Sequence, residues 1–298
     1  LLPVPYYMVT FTVPGKLRMV VRCKQRACYA ALFDCGARTI TELAAGKRFV
    51  GTEQIGFFGA LHTWGRDFTV YNPHVHFVVP GGGISDDGSK WLAAAENFLI
   101  PVHAASKLYA GKFRSAMREA GLEQAFIEAD GDAWNSPWNV DVRHVGNGEA
   151  VLKYLAPYVN RVAISNRRIE SVDDSGVTYR FTPSGKEQSV ARTVDGNEFV
   201  RGFLQHTLPP RFQRIRYYGW QSPNCKLKFQ YVQMLVWFYL GWCWQMKKAE
   251  VIDITKPPRP CPKCQVGTMH AVMITDSEGR VIWRHPLMEH AIAFLDST

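Results

Sequence analysis

The chain has 298 residues, enough for one large domain or two modest ones, each with a buried core. Hydrophobic residues make up 47% and charged residues 20%, a composition that excludes wholesale disorder. Lys and Arg outnumber Asp and Glu by 35 to 26, and the resulting charge of +9 favours polyanionic partners, nucleic acid first. Seven cysteines without a dense pattern, and no basic-then-apolar leader, point to a reducing, intracellular setting rather than a disulfide framework. The chain opens at Leu1 without Met, and so reads as part of a longer protein.

In chain order, residues 6–13 are β-branched and aromatic and stop at Pro14-Gly15, which predicts a strand and a turn. A helix is expected over 17–33. Cys23, Cys28 and Cys35 recur at helical rather than metal-knuckle spacing and read as packing residues. Residues 55–63 and 74–79 are strand candidates that form a hairpin. Residues 91–120 turn helical, with Ala105, Leu108, Tyr109, Phe113, Ala116 and Met117 on one stripe and Gly121 as the stop. Strands follow at 140–145, 177–181 and near 212–218, with a helix at 149–164. The apolar run 231–244, interrupted by Gln233, is shorter than the roughly 20 residues a membrane span needs and predicts a buried helix and no membrane partner. A proline-rich break at 256–260 marks a boundary. The expected division is 1–170, a catalytic core with a helical insertion; 171–255, a basic DNA-binding extension; and 256–298, a small Cys-containing tail.

His74-Val75-His76 is the sharpest local feature, because alternate residues of a strand share a face and both imidazoles converge on one spot. Such a pair can hold a divalent ion with a further ligand, or can be satisfied by hydrogen bonds. If the hairpin turn centres near residue 69, residue 62 pairs with residue 76, which makes His62 the candidate third ligand. A one-residue slip would turn it away. Gly81-Gly82-Gly83 either admits the close approach of a ligand backbone or is a flexible turn.

Tyr154 and Tyr158 are four residues apart, about 6 Å along a helix, so they either pack in the core or act together. Their company is basic: Lys153, Arg161, Arg167 and Arg168. A phenol can be a nucleophile when a metal or cation stabilises its developing charge, and the set suggests phosphodiester chemistry. Pro157, between the tyrosines, would kink an ideal helix. From Phe199 to Ala249 there is no acidic residue, while Arg211, Arg214 and Arg216 lie among Phe212, Tyr217, Tyr218 and Trp220. That is the composition of a surface that tracks phosphates and stacks single-stranded bases, or of solvated charges over a core. Cys261-Pro-Lys-Cys264 has the spacing of half a zinc knuckle, which His270, His285 or cysteines beyond the chain could complete; two free thiols are the alternative.

Leu2-Pro-Val-Pro-Tyr-Tyr7, Thr10-Phe-Thr12, Leu61-His-Thr-Trp-Gly65 and Asn72-Pro-His-Val-His-Phe-Val-Val-Pro-Gly-Gly-Gly83 together resemble the two-tyrosine rolling-circle transposases of bacterial insertion sequences, members of the HUH endonuclease superfamily. The stretch from Tyr154 to Asn166 is similar to their tyrosine motif, and the stretch from Pro209 to Gly219 to their basic block. The resemblance spans about residues 1 to 265. It implies an α+β fold with an HUH-endonuclease-like central antiparallel sheet flanked by helices, helical insertions and a small C-terminal tail module.

It further implies His74 and His76 as ligands of Mg²⁺ or Mn²⁺, with His62 added from the hairpin arithmetic, and Tyr154 and Tyr158 as nucleophiles forming 5′-phosphotyrosine links. The partners implied are single-stranded or hairpin DNA at element ends, and target DNA. The setting implied is the bacterial cytoplasm, at the nucleoid. A structural Zn²⁺ at Cys261 and Cys264 is the candidate second metal. Related transposases usually carry a Cys-rich zinc-binding segment ahead of the catalytic domain, and this chain starts after that place. Replication initiators and relaxases share the chemistry, and a non-cleaving hairpin-DNA-binding derivative is a further alternative. A metal-dependent amidohydrolase, which also uses His-x-His, would need a (β/α)₈ rhythm that the chain lacks.

Overall fold

The computed structural model describes residues 1–147 apart from 96, 97, 133, 136 and 137, residues 163–241 apart from 184 and 228, and the backbone of four short strands between 259 and 284. The chain divides into two compact units, Leu1–Cys243 and Trp244–Thr298. The second is described by two ladders, β11 (Arg259–Pro260) with β12 (Thr268–Met269), and β13 (Met273–Thr275) with β14 (Val281–Arg284). The segment carrying Lys153, Tyr154, Tyr158 and Arg161, and the Cys261 and Cys264 pair, lie outside the described residues.

The first unit is built on a five-stranded antiparallel sheet in the order β10-β2-β3-β1-β6, formed by β1 (Tyr6–Thr12), β2 (Phe57–Trp64), β3 (Tyr71–Pro80), β6 (Asn139–Gly146) and β10 (Ile215–Tyr218). Alternation sorts the strands into two faces. One face, with Val9, Phe11, Phe57, Leu61, Val75 and Phe77, is apolar and packs against α2 (Gln25–Ala44) and α3 (Val102–Glu119). The other carries Thr10, His62, His74 and His76.

Phe77 is the pivot of the packed face. It meets Phe11, Phe33 and Phe57 edge-on, and a Cβ added at Gly36 of α2 would lie 2.6 Å from its ring. A glycine in mid-helix has poor propensity, and so do the β-branched residues Thr39, Ile40 and Thr41 that follow. The sequence therefore suggests a helix that stops near residue 33. Burial of Ala37, Ile40 and Ala44 against the sheet carries α2 on to Ala44, and Thr39 donates to the carbonyl of Cys35 at 2.8 Å. The expected single helix is instead broken at Lys24 (φ −120°, ψ 41°) into α1 (Arg18–Cys23) and α2. Cys28 and Cys35 are buried as expected, their thiols pushed up to about 12 by burial, but Cys23 is exposed.

The helix expected over 91–120 is shorter. Trp91–Ala93 is a strand, β5, paired with β4 (Gly82–Ile84), and α3 starts behind Pro101, because the residue before a proline is driven out of helical geometry. Gly121 ends it with φ +68°, and the short helix α4 (Glu123–Ala129) follows. The triple glycine is neither loose nor open: side chains at Gly82 and Gly83 would strike Trp91, Leu92, Thr52 and Gln54, so the close approach is made by the protein itself.

Beyond the sheet, β7 (Ile169–Asp173), β8 (Gly176–Phe181) and β9 (Val190–Val194) form a three-stranded sheet, followed by α5 (Gly196–Leu204). It is fastened to the β2–β3 turn. Asp67 accepts from the Thr69 amide and hydroxyl (3.0 and 2.8 Å), from the Tyr179 phenol (2.9 Å) and from Arg192 (2.6 Å), while Phe68 is buried with Ala163, Ile164, Tyr179 and Val194. The predicted apolar helix is α6 (Phe229–Leu240), buried on one side at Val232, Leu235 and Val236 and exposed on the other at Phe238 and Tyr239. Among the described residues, no helix is long and apolar enough to cross a membrane.

Candidate metal centre

His62 pairs with His74, and Ala60 with His76, so the hairpin register differs by two residues from the one expected. A shift of two preserves the face, and His62 stands with the other two histidines. A bulge between His62 and Trp64 shifts the pairing by one further residue toward the turn, where Trp64 faces Tyr71. Each of the three imidazoles offers one nitrogen within 4.8 Å of the others, and all three rings are buried. Ala60, small and directly across from His76, leaves the ring room.

Each ring is held from outside. The carbonyl of Asn72 accepts from His74 Nδ1 at 2.6 Å, which puts the proton on Nδ1 and leaves the lone pair on Nε2. Thr10, opposite His76 on β1, bonds its Nδ1 at 2.8 Å. Trp64 stacks on His62 with planes 8° apart, and Trp64 is itself covered by Arg214, whose guanidinium carbon lies 5.0 Å from the indole centroid and whose Nε donates to the Leu61 carbonyl at 3.1 Å. His206, buried behind the hairpin, bonds Thr63 Oγ1 at 3.1 Å and the Phe68 carbonyl at 2.5 Å. Burial pushes His74 down to about 4. It pushes His76 down to about 2, with the neighbouring His74, His62 and Arg143 adding to the effect. Both rings are thus neutral near pH 7, the state a metal ligand requires. Three convergent imidazoles with oriented rings fit a divalent cation.

The triad forms one wall of a cavity of about 540 Å³, completed by Trp64, Arg66, Arg168 and Arg180. The guanidinium of Arg168 is clamped by two carbonyls, Nε to Arg180 at 2.7 Å and Nη2 to Arg66 at 3.0 Å. Arg180 also pairs with Glu170. No carboxylate is among the described residues that line the cavity. A divalent ion bound by neutral ligands beside guanidinium groups keeps its positive charge, and such a cavity suits a phosphate.

The remaining sequence candidates fall in different places. Arg167 is exposed next to Arg168, and Arg211 is exposed in a left-handed turn (φ 60°). Arg214 lies over Trp64. Arg216, two residues on, faces Asp34 at 3.3 Å and covers Phe33 on the helix-packed side of the sheet. Thr10, Trp64, Arg66, Arg180 and His206 complete the surroundings. Thr10 and Trp64 lie in motifs of the family resemblance, and their roles follow from the register opposite His76 and the place two residues after His62; Arg66, Arg180 and His206 carry no local signal of their own.

Residues 56–228 match the family model Y2_Tnp, described as "Putative transposase". A Sinorhizobium fredii protein named "Putative transposase y4qJ" is 38% identical over 237 residues, 74% of this chain and 59% of the relative. The "Transposase for insertion sequence element IS801" of Pseudomonas savastanoi pv. phaseolicola is 25% identical over 230 residues, 72% of this chain and 54% of the relative. The chain thus spans somewhat over half the length of these relatives. Two solved structures of the conjugative relaxase TrwC with DNA are also similar. One is a metal-free complex with OriT DNA at TM-score 0.32 and 12% identity, covering 70% of this chain and 67% of the relaxase. The other holds a 27-mer with the recognition hairpin and cleavage site, at TM-score 0.31 and 14% identity, covering 70% and 68%.

Proposed function

The chain belongs to the Y2_Tnp transposase family, and from that premise we propose that it nicks and transfers single-stranded DNA through a tyrosyl-DNA intermediate at the histidine triad. The observation that carries this reading is the convergence of three imidazoles and three arginines on one cavity with no carboxylate among its described lining residues. His62, His74 and His76 would hold Mg²⁺ or Mn²⁺, which when bound supplies Lewis-acid polarisation of the scissile phosphate. Arg168, clamped by two carbonyls, orients the phosphate beside the triad, and Arg66 and Arg180 balance its charge.

Tyr154 and Tyr158 are the proposed nucleophiles. The phenol oxygen forms a bond to phosphorus, the bond from phosphorus to the 3′-oxygen breaks, the phenol proton leaves to solvent and the 3′-oxygen takes one up. The products are a 5′-phosphotyrosine and a free 3′-OH, so rejoining needs no further energy source. Chain connectivity supports this assignment. Ala163 and Ile164, which follow the tyrosine segment in the chain, are buried against Phe68 in the turn that joins the histidine strands. Lys153, Arg161, Arg167 and Arg211 are proposed DNA contacts outside the cavity. The proposed division remains a catalytic core over 1–170, its basic extension over 171–255 and the tail from 256, with a zinc site at Cys261 and Cys264 in the tail.

The test is to incubate the chain, Tyr154→Phe, Tyr158→Phe and the double variant with labelled single strands carrying the ends of the element that encodes it, with Mn²⁺ or EDTA, on denaturing gels. A metal-dependent protein–DNA adduct lost in the double variant is expected. DNA binding without an adduct in any condition rejects cleavage by this chain.

A further inference from the structure

A second groove, of about 770 Å³, opens on the same face of the sheet as the triad. Phe58 and Tyr217 are paired directly across β2 and β10, with ring centroids 5.9 Å apart. Phe58, Ala60 and His62 alternate along one face of β2, so the aromatic pair lies about 13 Å from the His62 position. From the other side the groove is bounded by α6 and the turn before it, through Gln230, Gln233 and Gln221, with Trp220 at the floor.

Three features define what this groove can take. Of the four aromatic residues that the basic block and its flank contribute, Phe212 packs on Tyr29 and Phe33, Tyr218 stacks on Phe57 over the core, and Trp220 is buried, whereas Tyr217 is 50% exposed. An open ring on a sheet edge is a stacking platform. The polar side chains at the walls are mainly amides, with Ser222 beside them, and an amide donates and accepts in pairs as the edge of a base does; no charged side chain is among the described residues that line the groove. The indole Nε1 of Trp220, buried and without a partner among the described residues, adds an unsatisfied donor. A neutral, flat, hydrogen-bonding ring fits this set; a phosphate or an acidic peptide does not.

We propose that this groove is a base-binding subsite, which stacks a nucleobase of the same single strand on Tyr217 a short distance from the bond cut at the triad. The subsite rests on the DNA-transfer function proposed above and adds to it a division of labour: the histidine and arginine cavity holds phosphate, and the aromatic groove holds a base. It makes strand engagement depend on bases at a distance from the reaction, which phosphate contacts alone cannot do.

The test is fluorescence anisotropy in EDTA with two labelled 20-mers of equal charge, oligo(dT) and a strand of abasic tetrahydrofuran units. Tyr217→Ala is expected to weaken oligo(dT) binding about tenfold and to leave the abasic strand unchanged, with Tyr217→Phe close to wild type. Gln233→Leu, on the opposite wall, is expected to show the same strand selectivity, so the outcome does not hang on the folding of one variant. Arg168→Ala should weaken both strands alike. If the Tyr217 and Gln233 variants bind both strands as wild type does, or lose both equally while Arg168→Ala behaves as expected, the subsite is overturned and the DNA-transfer function stands. If the wild-type chain binds neither strand, both fall.

Discussion

Replacing Thr10 by Val keeps the shape of a buried β-strand residue and deletes one hydroxyl, the one that bonds His76 Nδ1 at 2.8 Å. A ligand histidine without its outer partner loses ring orientation and basicity, and such losses typically weaken metal binding 10- to 100-fold, about 1.4–2.7 kcal/mol. The hydroxyl's own worth as a buried hydrogen bond, about 1–3 kcal/mol when one partner is removed, sets the same scale. Free Mn²⁺ can be followed by its paramagnetic resonance signal during titration of wild type and Thr10→Val. The melting temperature of both proteins in EDTA would show whether the fold is intact. The dissociation constant should rise by one to two orders of magnitude. An unchanged constant with an intact fold would refute the role assigned to Thr10, and unchanged binding in His74→Ala as well would refute the triad as the metal site.

Three further outcomes follow from the packing and the charges. Gly36→Ala drives a methyl to within 2.6 Å of the Phe77 ring and should destabilise the first unit by about 1–3 kcal/mol; an unaltered denaturant midpoint would show that α2 can shift without cost. Asp67 is raised by burial, but bonds from Thr69, Tyr179 and Arg192 outweigh this and hold it below its ordinary value of 3.8. Its contribution to stability is therefore present above that pH and lost as the pH falls through the lower, folded-state value. Asp67→Asn should destabilise at pH 6 and converge on wild type toward pH 3, and a pH-independent difference in thermal melts would contradict the network. Arg168→Ala should lower the dependence of single-strand affinity on salt by about 0.7 in log–log slope, while Arg216→Ala, on the helix-packed face, should lower stability and leave the slope alone; equal slopes for all three proteins would remove Arg168 from the DNA path.

Some of the site is written locally. The alternation of His74, Val75, His76 and Phe77 obliges two imidazoles to leave one face of β3 and two apolar side chains to fill the other, whatever surrounds the strand. The parity of His62 follows from any even register shift, and so its face survives a hairpin two residues out of the expected register. The motif order through Tyr154 and the basic block marks the transposase family, which residues 56–228 match.

Other parts were not legible for physical reasons. The length of α2 runs against local propensity, because Gly36 serves Phe77 and Thr39 and Ile40 serve the core; burial outweighs tenths of a kcal/mol per residue. Arg214 and Arg216 look alike in the basic block, and a period of two would put both on one face; Arg214 instead lies just ahead of β10 and covers Trp64, while Arg216, inside the strand, covers Phe33. Only where the strand begins, at Ile215, separates them, and that is set by its pairing with β2.

What the sequence determined alone is therefore the set of features with a short period: the sheet-forming runs, the paired histidines, the charge balance and the motifs. The tertiary structure decided which distant groups meet them. Thr10 is brought beside His76 across 66 residues, and Arg168 and Arg180 reach the cavity because Asp67 and Phe68 anchor a sheet made more than 100 residues later in the chain. Alternation along a strand is a property of the local backbone. The meeting of strands far apart in the chain is settled by how much apolar surface their pairing buries against the entropy of closing the loop between them, a balance that belongs to the whole fold.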